Sequence, residues 1–190
     1  ALPRLLALIG VAWFILWACA PTMSVPPARP LASHHQDRRS TPAQEWGISS
    51  GIYGNSFGEK MRWDPLQTNF YYRRGTQPGG EWGLSIYATE LGLAGGVFGR
   101  TQPIQFGKVR VGAQIEGGLI YGATRVPVSY EVSNRLWFHT MPSITMTFFR
   151  FGAQLPLGMS VRLGKGIYVD PRVGLLWMGD SKRPLPYAGI

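Results

Sequence analysis

The sequence predicts an all-β protein: a single antiparallel up-and-down barrel of about eight strands, preceded by an export signal and a disordered tether. The first observation is an alternation of apolar and polar residues over positions 108–122. Successive side chains of a strand face opposite sides, so this period of two places one face in an apolar medium and the other in a polar one. The second observation is that only 15% of the residues are charged, whereas about a quarter is usual for soluble domains.

The same two-faced pattern recurs from residue 45 to residue 178, the span assigned to the barrel. It predicts strands in the ranges 45–52, 67–74, 81–88, 91–100, 108–122, 138–149, 151–164 and 167–177. Gly164, Lys165 and Gly166 predict a tight hairpin turn between the last two, because glycine tolerates a positive φ. Pro142, Pro156 and Pro171 each remove a backbone donor, so we expect edges or bulges at these three positions.

The polar face consists mostly of Gly, Ser and Gln, which suits the crowded interior of a small barrel better than a soluble exterior. The side chains expected to face this lumen together are Lys108, Arg110, Gln114, Glu116, Arg162, Asp170 and Arg172. Buried charges of mixed sign must pair, so we predict a salt-bridged plug and no open pore. A gated anion path lined by the excess of Arg and Lys is the alternative.

Four tryptophans lie near the ends of predicted strands: Trp46, Trp82, Trp137 and Trp177. Membrane barrels carry girdles of aromatic residues at both lipid interfaces. We therefore predict that these four side chains lie at the membrane interface; ordinary burial in a core is the alternative.

Residues 1–20 have the pattern of an export signal, with Arg4, then an apolar run over 5–17, then small residues around Cys19. The run is shorter than the roughly 20 residues that a spanning helix needs. Leu16, Trp17, Ala18 and Cys19 resemble the bacterial lipobox, although Trp17 stands where a small residue is usual. That resemblance implies lipidation of Cys19 and, with Ala20 following, location in the outer membrane. Ordinary cleavage after Ala20, which removes Cys19, is the alternative.

Residues 21–44 are rich in proline and nearly free of large apolar side chains, so they predict an unstructured tether. Residues 179–190 predict a polar C-terminal tail. The formal net charge is +9, yet no nucleic-acid recognition motif accompanies it and the basic residues are scattered over loops and tether. We therefore expect outer-membrane lipids, with lipopolysaccharide phosphate as one concrete version, rather than nucleic acid as partners.

The sequence offers no phosphate loop and no metal-ligand spacing, so we expect no cofactor, no metal and no enzymatic activity. His34 and His35 lie in the tether without a third ligand. His139 and Ser143 share one face of a predicted strand, which is the only arrangement that could support nucleophilic catalysis. Their spacing is not the motif of the outer-membrane lipid A deacylases.

The segment from Trp46 to Trp177, above all residues 83–86 and 107–122, resembles the small outer-membrane β-barrel proteins of Gram-negative bacteria. The resemblance is one of pattern over about 130 residues. It implies an exported, non-enzymatic barrel with a structural or surface-interaction role. The alternative is a lipocalin-like lipoprotein that binds a lipophilic ligand inside a soluble barrel, because Gly80, Glu81 and Trp82 match the Gly-x-Trp signature of that family. The two interpretations require opposite burial of Val109, Ile115, Leu155 and Val161.

Overall fold

Every element of the computed structural model is a β-strand, and every pairing between strands is antiparallel. The structure describes residues 44–57, 60–65, 68–76, 80–89, 92–101, 103–118, 121–147, 151–164, 167–179 and 183–190. These ranges contain no helix, which confirms the predicted all-β, antiparallel class. The signal segment, nearly all of the tether and the predicted lipidation site at Cys19 lie outside the described residues.

The described residues form 17 strands in one sheet. They are β1 (Gln44–Ser49), β2 (Gly51–Phe57), β3 (Lys60–Pro65), β4 (Thr68–Gly75), β5 (Glu81–Thr89), β6 (Gly92–Arg100), β7 (Ile104–Phe106), β8 (Val109–Val111), β9 (Gln114–Gly118), β10 (Tyr121–Arg125), β11 (Val128–Ser133), β12 (Leu136–Thr140), β13 (Ser143–Thr147), β14 (Phe151–Gly164), β15 (Ile167–Val169), β16 (Arg172–Met178) and β17 (Leu185–Gly189). A barrel of about eight strands is therefore not confirmed.

One continuous series of pairings connects the beginning of the described chain with its end. It runs from β1 through β4, β5, β6, β9, β10, β13, β14, β16 and β17 to β2. Only Ser50 separates β1 from β2, and its backbone exchanges two hydrogen bonds of 2.9 Å with Ile190. The last strand of the described chain, β17, is thus a hydrogen-bonded neighbour of β2, which follows β1 after a single residue.

Three hairpins extend the sheet at the end where β1 begins. β7 pairs with β8, β8 with β11, β11 with β12, β12 with the second half of β14, and β14 with β15. We call β7, β8, β11, β12, β15 and the second half of β14 together the extension. The turn of the first hairpin places Gly107 at φ 61°, a left-handed conformation that glycine adopts without strain.

The long strand predicted over residues 108–122 is wrong as a single element. The structure divides it into β8 and β9, separated by Gly112 and Ala113, and residues 121–122 already belong to β10. The two residues at the break form backbone hydrogen bonds with other parts of the chain. Gly112 donates to the Pro127 carbonyl and Thr101 donates to the Ala113 carbonyl, both at 2.9 Å. A second difference is that the segment predicted as a polar tail contains β17.

The prolines mark changes of partner in the sheet. Pro142 separates β12 from β13, and Pro171 separates β15 from β16, as predicted. Pro156 instead lies inside β14, where that strand passes from pairing with β13 to pairing with β12. The missing donor of Pro156 thus costs no ladder hydrogen bond on that side.

The buried side of the sheet is largely polar, and its exposed side is apolar. In β5, Glu81 and Ser85 are buried while Leu84 and Ile86 are exposed. The apolar side chains that are buried are mostly aromatic: Tyr71, Phe98, Tyr121, Trp137 and Tyr187, together with Ala123, Met141 and Leu176. This arrangement is the reverse of a soluble globular core.

Candidate functional site

The candidate site is the polar cluster on the buried side of the sheet, which several strands build together. Because side chains alternate along a strand, one polar residue at every second position is enough to line this side. Its charged members are Glu45, Arg73, Glu81, Arg100, Glu116, Arg125, Asp170 and Arg172, and we call them the interior cluster.

The first part of the interior cluster centres on two acids that share Arg73. The Arg73 guanidinium donates to Glu45 and lies 3.6 Å from the Glu81 carboxylate, which is also 3.4 Å from Arg100. Arg100 donates to the side-chain oxygen of Gln114 through Nε at 3.0 Å and Nη2 at 2.8 Å. This chain of contacts crosses five neighbouring strands, with charge-assisted hydrogen bonds at Glu45 and Gln114 and ion pairs at Glu81 between them.

The second part centres on Glu116, whose carboxylate is almost entirely enclosed. Its Oε1 accepts hydrogen bonds from the Ser85 and Tyr121 hydroxyls, each at 2.7 Å, and its Oε2 accepts from Arg125. A buried carboxylate is tolerated only when its charge is compensated and its oxygens are hydrogen-bonded. Glu116 meets both conditions.

The third part surrounds Asp170, which lies between β15 and β16. Ser160 donates to Asp170 Oδ1, and His139 Nε2 lies 3.8 Å from the same oxygen. Arg172 donates to the Ile190 carbonyl at 3.1 Å. Because the Ser160 hydroxyl bonds to the acid rather than to His139, this group lacks the serine–base contact of a nucleophilic site.

The interior cluster balances its charges, since four arginines face four acids. Glu45, Glu81 and Glu116 each form an ion pair with an arginine, whereas Asp170 accepts a hydrogen bond from Ser160 and lies near His139. A balanced set of short contacts gives a rigid interior and little net field for a passing ion. Chemically, the arrangement is suited to holding strands together.

Four of the seven side chains predicted to share the lumen are buried, and the other three are not. The structure buries Gln114, Glu116, Asp170 and Arg172. Arg110 is half-buried and forms an ion pair of 3.0 Å with Glu131 in the extension. Lys108 and Arg162 are exposed, so they stand apart from the interior cluster. The reason is that β8 and the end of β14 run beyond the enclosed part of the sheet.

Three of the four predicted interface tryptophans lie on the outward side. Trp46 is 77% exposed, Trp82 is 39% exposed and Trp177 is half-buried. The prediction for Trp137 is wrong, because its side chain is buried and its ring packs at 6.5 Å from Tyr168. Trp137 lies two residues from His139, so both face the inner side.

Sequence reasoning missed much of the interior cluster, including Glu45, Arg73, Arg100 and Arg125. The signal was available for Arg73, since Phe70 and Tyr72 already fix the apolar side of β4 and leave Arg73 on the other. Ser143, suggested as a partner of His139, is buried opposite Gln154. No hydrogen bond joins it to His139 within the described part of the chain.

Two further features are absent from the described ranges. No helix there has the length and apolar character needed to cross a bilayer. No three His, Cys, Asp or Glu side chains among those residues come together as a metal site. Comparison of the chain with protein-family models, with curated proteins and with solved structures found no match.

Proposed function

We propose that this chain is a non-enzymatic integral β-barrel protein of a Gram-negative outer membrane, with a plugged polar lumen and a structural or surface-interaction role. The sheet would close on itself, with the interior cluster inside and the apolar side in contact with lipid. Cys19, if retained after export, would carry the lipid anchor that its lipobox-like context implies.

The observation that carries the proposal is the inverted burial along the strands. The outward side exposes large apolar side chains on many strands, among them Ile48, Phe70, Leu84, Ile86, Val97, Ile115, Ile144, Met146, Leu157, Val173 and Leu175. In water each exposed Leu or Ile forgoes about 1.5–3 kcal/mol that its burial would contribute. Soluble monomers rarely expose a continuous apolar surface of this kind. Hydrocarbon is the medium in which such a surface is stable.

The continuous series of pairings supports closure of the sheet. A sheet in hydrocarbon must satisfy the backbone groups of every edge, because lipid offers no hydrogen bonds. In the proposed closed sheet, the contacts of β17 and Ile190 with β2 and Ser50 would cover the edge that a linear sheet would leave there. β14 has 14 residues, which exceeds the roughly nine to eleven that a tilted spanning strand requires.

The interior cluster favours a plugged lumen over a conducting one. An anion path needs a surplus of positive charge facing the pore. Here Arg73, Arg100 and Arg125 form ion pairs with acids, and Arg172 donates to the Ile190 carbonyl, so little free positive charge remains inside the enclosed part. The lipocalin alternative loses support for a related reason, since a lipophilic ligand requires an apolar cavity and the buried side here is polar.

The experiment that tests the proposal is fractionation of the full-length protein expressed in a Gram-negative host, beside a Cys19→Ala variant. We expect the protein to remain in outer membranes washed with carbonate and to migrate differently on gels before and after heating. If Cys19→Ala retains both properties, the strands rather than a lipid anchor hold the protein in the membrane. Release of that variant into the soluble fraction would contradict the proposal and favour a lipid-tethered soluble barrel.

A further inference from the structure

The exposed charges of the described residues all have the same sign. The Lys and Arg side chains that are exposed are Arg74, Lys108, Arg135, Arg162 and Arg183. Every acid whose side chain is described is buried or half-buried: Glu45, Glu81, Glu116, Glu131, Asp170. The sheet thus turns its acids inward and leaves a basic exterior.

Four of the five exposed cations lie at one end of the sheet. In an antiparallel meander successive turns alternate between the two ends. Arg74 precedes the β4–β5 turn, Lys108 lies in the β7–β8 turn, Arg135 lies in the β11–β12 turn and Arg162 lies near the β14–β15 turn. These turns all belong to the end where β1 begins, whereas Arg183, between β16 and β17, lies at the opposite end. We call Arg74, Lys108, Arg135 and Arg162 the basic rim.

The surroundings of Arg74 show how the basic rim meets the apolar surface. Arg74 is opposite Trp82 in the β4–β5 register and follows Tyr72 on the same outward side. The Trp46 and Tyr72 rings are 4.5 Å apart, and the Tyr72 and Trp82 rings are 6.0 Å apart. Beyond these rings the surface continues as Ile48, Phe70 and Leu84, all exposed. Cation, aromatic rings and aliphatic side chains therefore follow one another along the outside of the sheet.

This order matches the layers of an anionic phospholipid leaflet. Phosphate headgroups attract Lys and Arg, amphipathic rings lie at the headgroup level, and acyl chains contact aliphatic side chains. We propose that the basic rim binds the phosphate headgroups of anionic phospholipids in the leaflet at the end where β1 begins. The inference rests on the proposed function and adds to it a lipid class and an orientation.

The occupant is a lipid rather than a free phosphate because the cations are spread around an apolar surface. No described acid competes for Arg74, which forms no ion pair with the described side chains. Arg162 keeps its position through a hydrogen bond from Nε to the Gly164 carbonyl at 3.1 Å, with its guanidinium 6.0 Å from the Tyr168 ring. That geometry leaves its remaining donors available to a headgroup.

The test measures lipid preference in reconstituted vesicles. Quenching of tryptophan fluorescence by brominated phosphatidylglycerol, compared with brominated phosphatidylcholine, gives the ratio of the two binding constants. We expect a several-fold preference for phosphatidylglycerol, up to about fivefold for each basic residue engaged. The preference should disappear near 1 M salt, where the Debye length is about 3 Å.

The variant in which all four rim residues become glutamine should lower this ratio towards one. Arg74→Gln alone should lower it by a smaller factor and serves if the fourfold variant does not insert. Arg183→Gln is the matched control, since it removes one exposed cation from the opposite end and should leave the ratio unchanged. A wild-type ratio of one, or an equal loss in Arg183→Gln and Arg74→Gln, would overturn the inference. Failure to insert into vesicles of either composition would instead contradict the proposed function, and the basic rim with it.

Discussion

Two ion pairs join the same two neighbouring stretches of chain, yet they lie in different surroundings. Glu116 of β9 and Arg125 of β10 have side chains that are 0% and 1% exposed, whereas Arg110 of β8 and Glu131 of β11 are 22% and 37% exposed. Both pairs belong to the inward side of the sheet. The difference shows that the inward side becomes more open from β9 to β8, although Ser129, Trp137 and His139 of the extension remain buried.

The two ion pairs should therefore contribute differently to the free energy of unfolding. Breaking an enclosed pair leaves a charge without compensation in a medium of low dielectric constant. Breaking an open pair returns both groups to water at small cost.

Removing the Glu116 carboxylate should produce the largest loss. Glu116→Ala removes a carboxylate that compensates the enclosed Arg125 guanidinium and accepts hydrogen bonds from the Ser85 and Tyr121 hydroxyls. We expect a destabilisation of about 3–5 kcal/mol, measured as a lower urea midpoint of the folded, fast-migrating gel band. The double variant Glu116→Gln with Arg125→Met should recover much of this stability. A midpoint equal to that of wild type in Glu116→Ala would contradict the enclosed cluster.

A charge on the outward side should have an effect that depends on depth. Leu157 lies near the middle of β14 and is 62% exposed, while Leu163 lies near its end and is 66% exposed. In a bilayer, Leu157→Arg should cost about 2–4 kcal/mol and Leu163→Arg about 0–1 kcal/mol. Unfolding in lipid vesicles measures both. Equal costs at these equally exposed positions would show that no hydrocarbon layer covers the middle of β14.

Adding one methyl group to the inner side should disturb packing, while the same addition outside should not. A Cβ at Gly83 would overlap the Tyr72 carbonyl oxygen and the Phe98 ring, whereas a Cβ at Gly99 meets nothing within 4 Å. We expect Gly83→Ala to cost about 1–3 kcal/mol and Gly99→Ala to leave the midpoint near that of wild type. The temperature at which the folded gel band disappears measures both, and an equal loss would place Gly83 outside the packed interior.

The open ion pair should contribute least. Arg110→Gln removes a contact of 3.0 Å between half-buried groups in the extension, and we expect a loss of at most about 1 kcal/mol. Salt should erase the difference between this variant and wild type, because exposed charges are screened. The urea midpoint at low and high salt provides the measurement. A loss comparable to that of Glu116→Ala would mean that the extension is as enclosed as the main sheet.

The strand character of the chain and the chemistry of its two sides follow from the amino-acid sequence alone. The alternations over residues 81–88 and 151–164 predicted β5 and β14, because a period of two has no other regular structure to fit. The same alternation predicted that Glu116 and Ile115 would face opposite ways. Pro142 and Pro171 predicted edges or bulges, since proline lacks the donor that a ladder needs, and the structure divides the predicted strands at these two positions.

The composition of the polar side predicted that this side is enclosed, but alternation looks the same in a membrane barrel and in a soluble one, so the burial itself was established by the tertiary structure. The tertiary structure also determines how far the enclosed interior extends, so that Glu116 lies inside it and Arg110 does not. It further determines which charged side chains pair, as Glu45 and Arg73 do. β17 lay beyond prediction because its five residues, with Pro186 among them, carry too little alternation to signal a strand. Its position depends on pairing with β16 and β2. Such contacts between distant parts of the chain cannot be predicted from the local sequence pattern. They determine which polar side chains pair with each other.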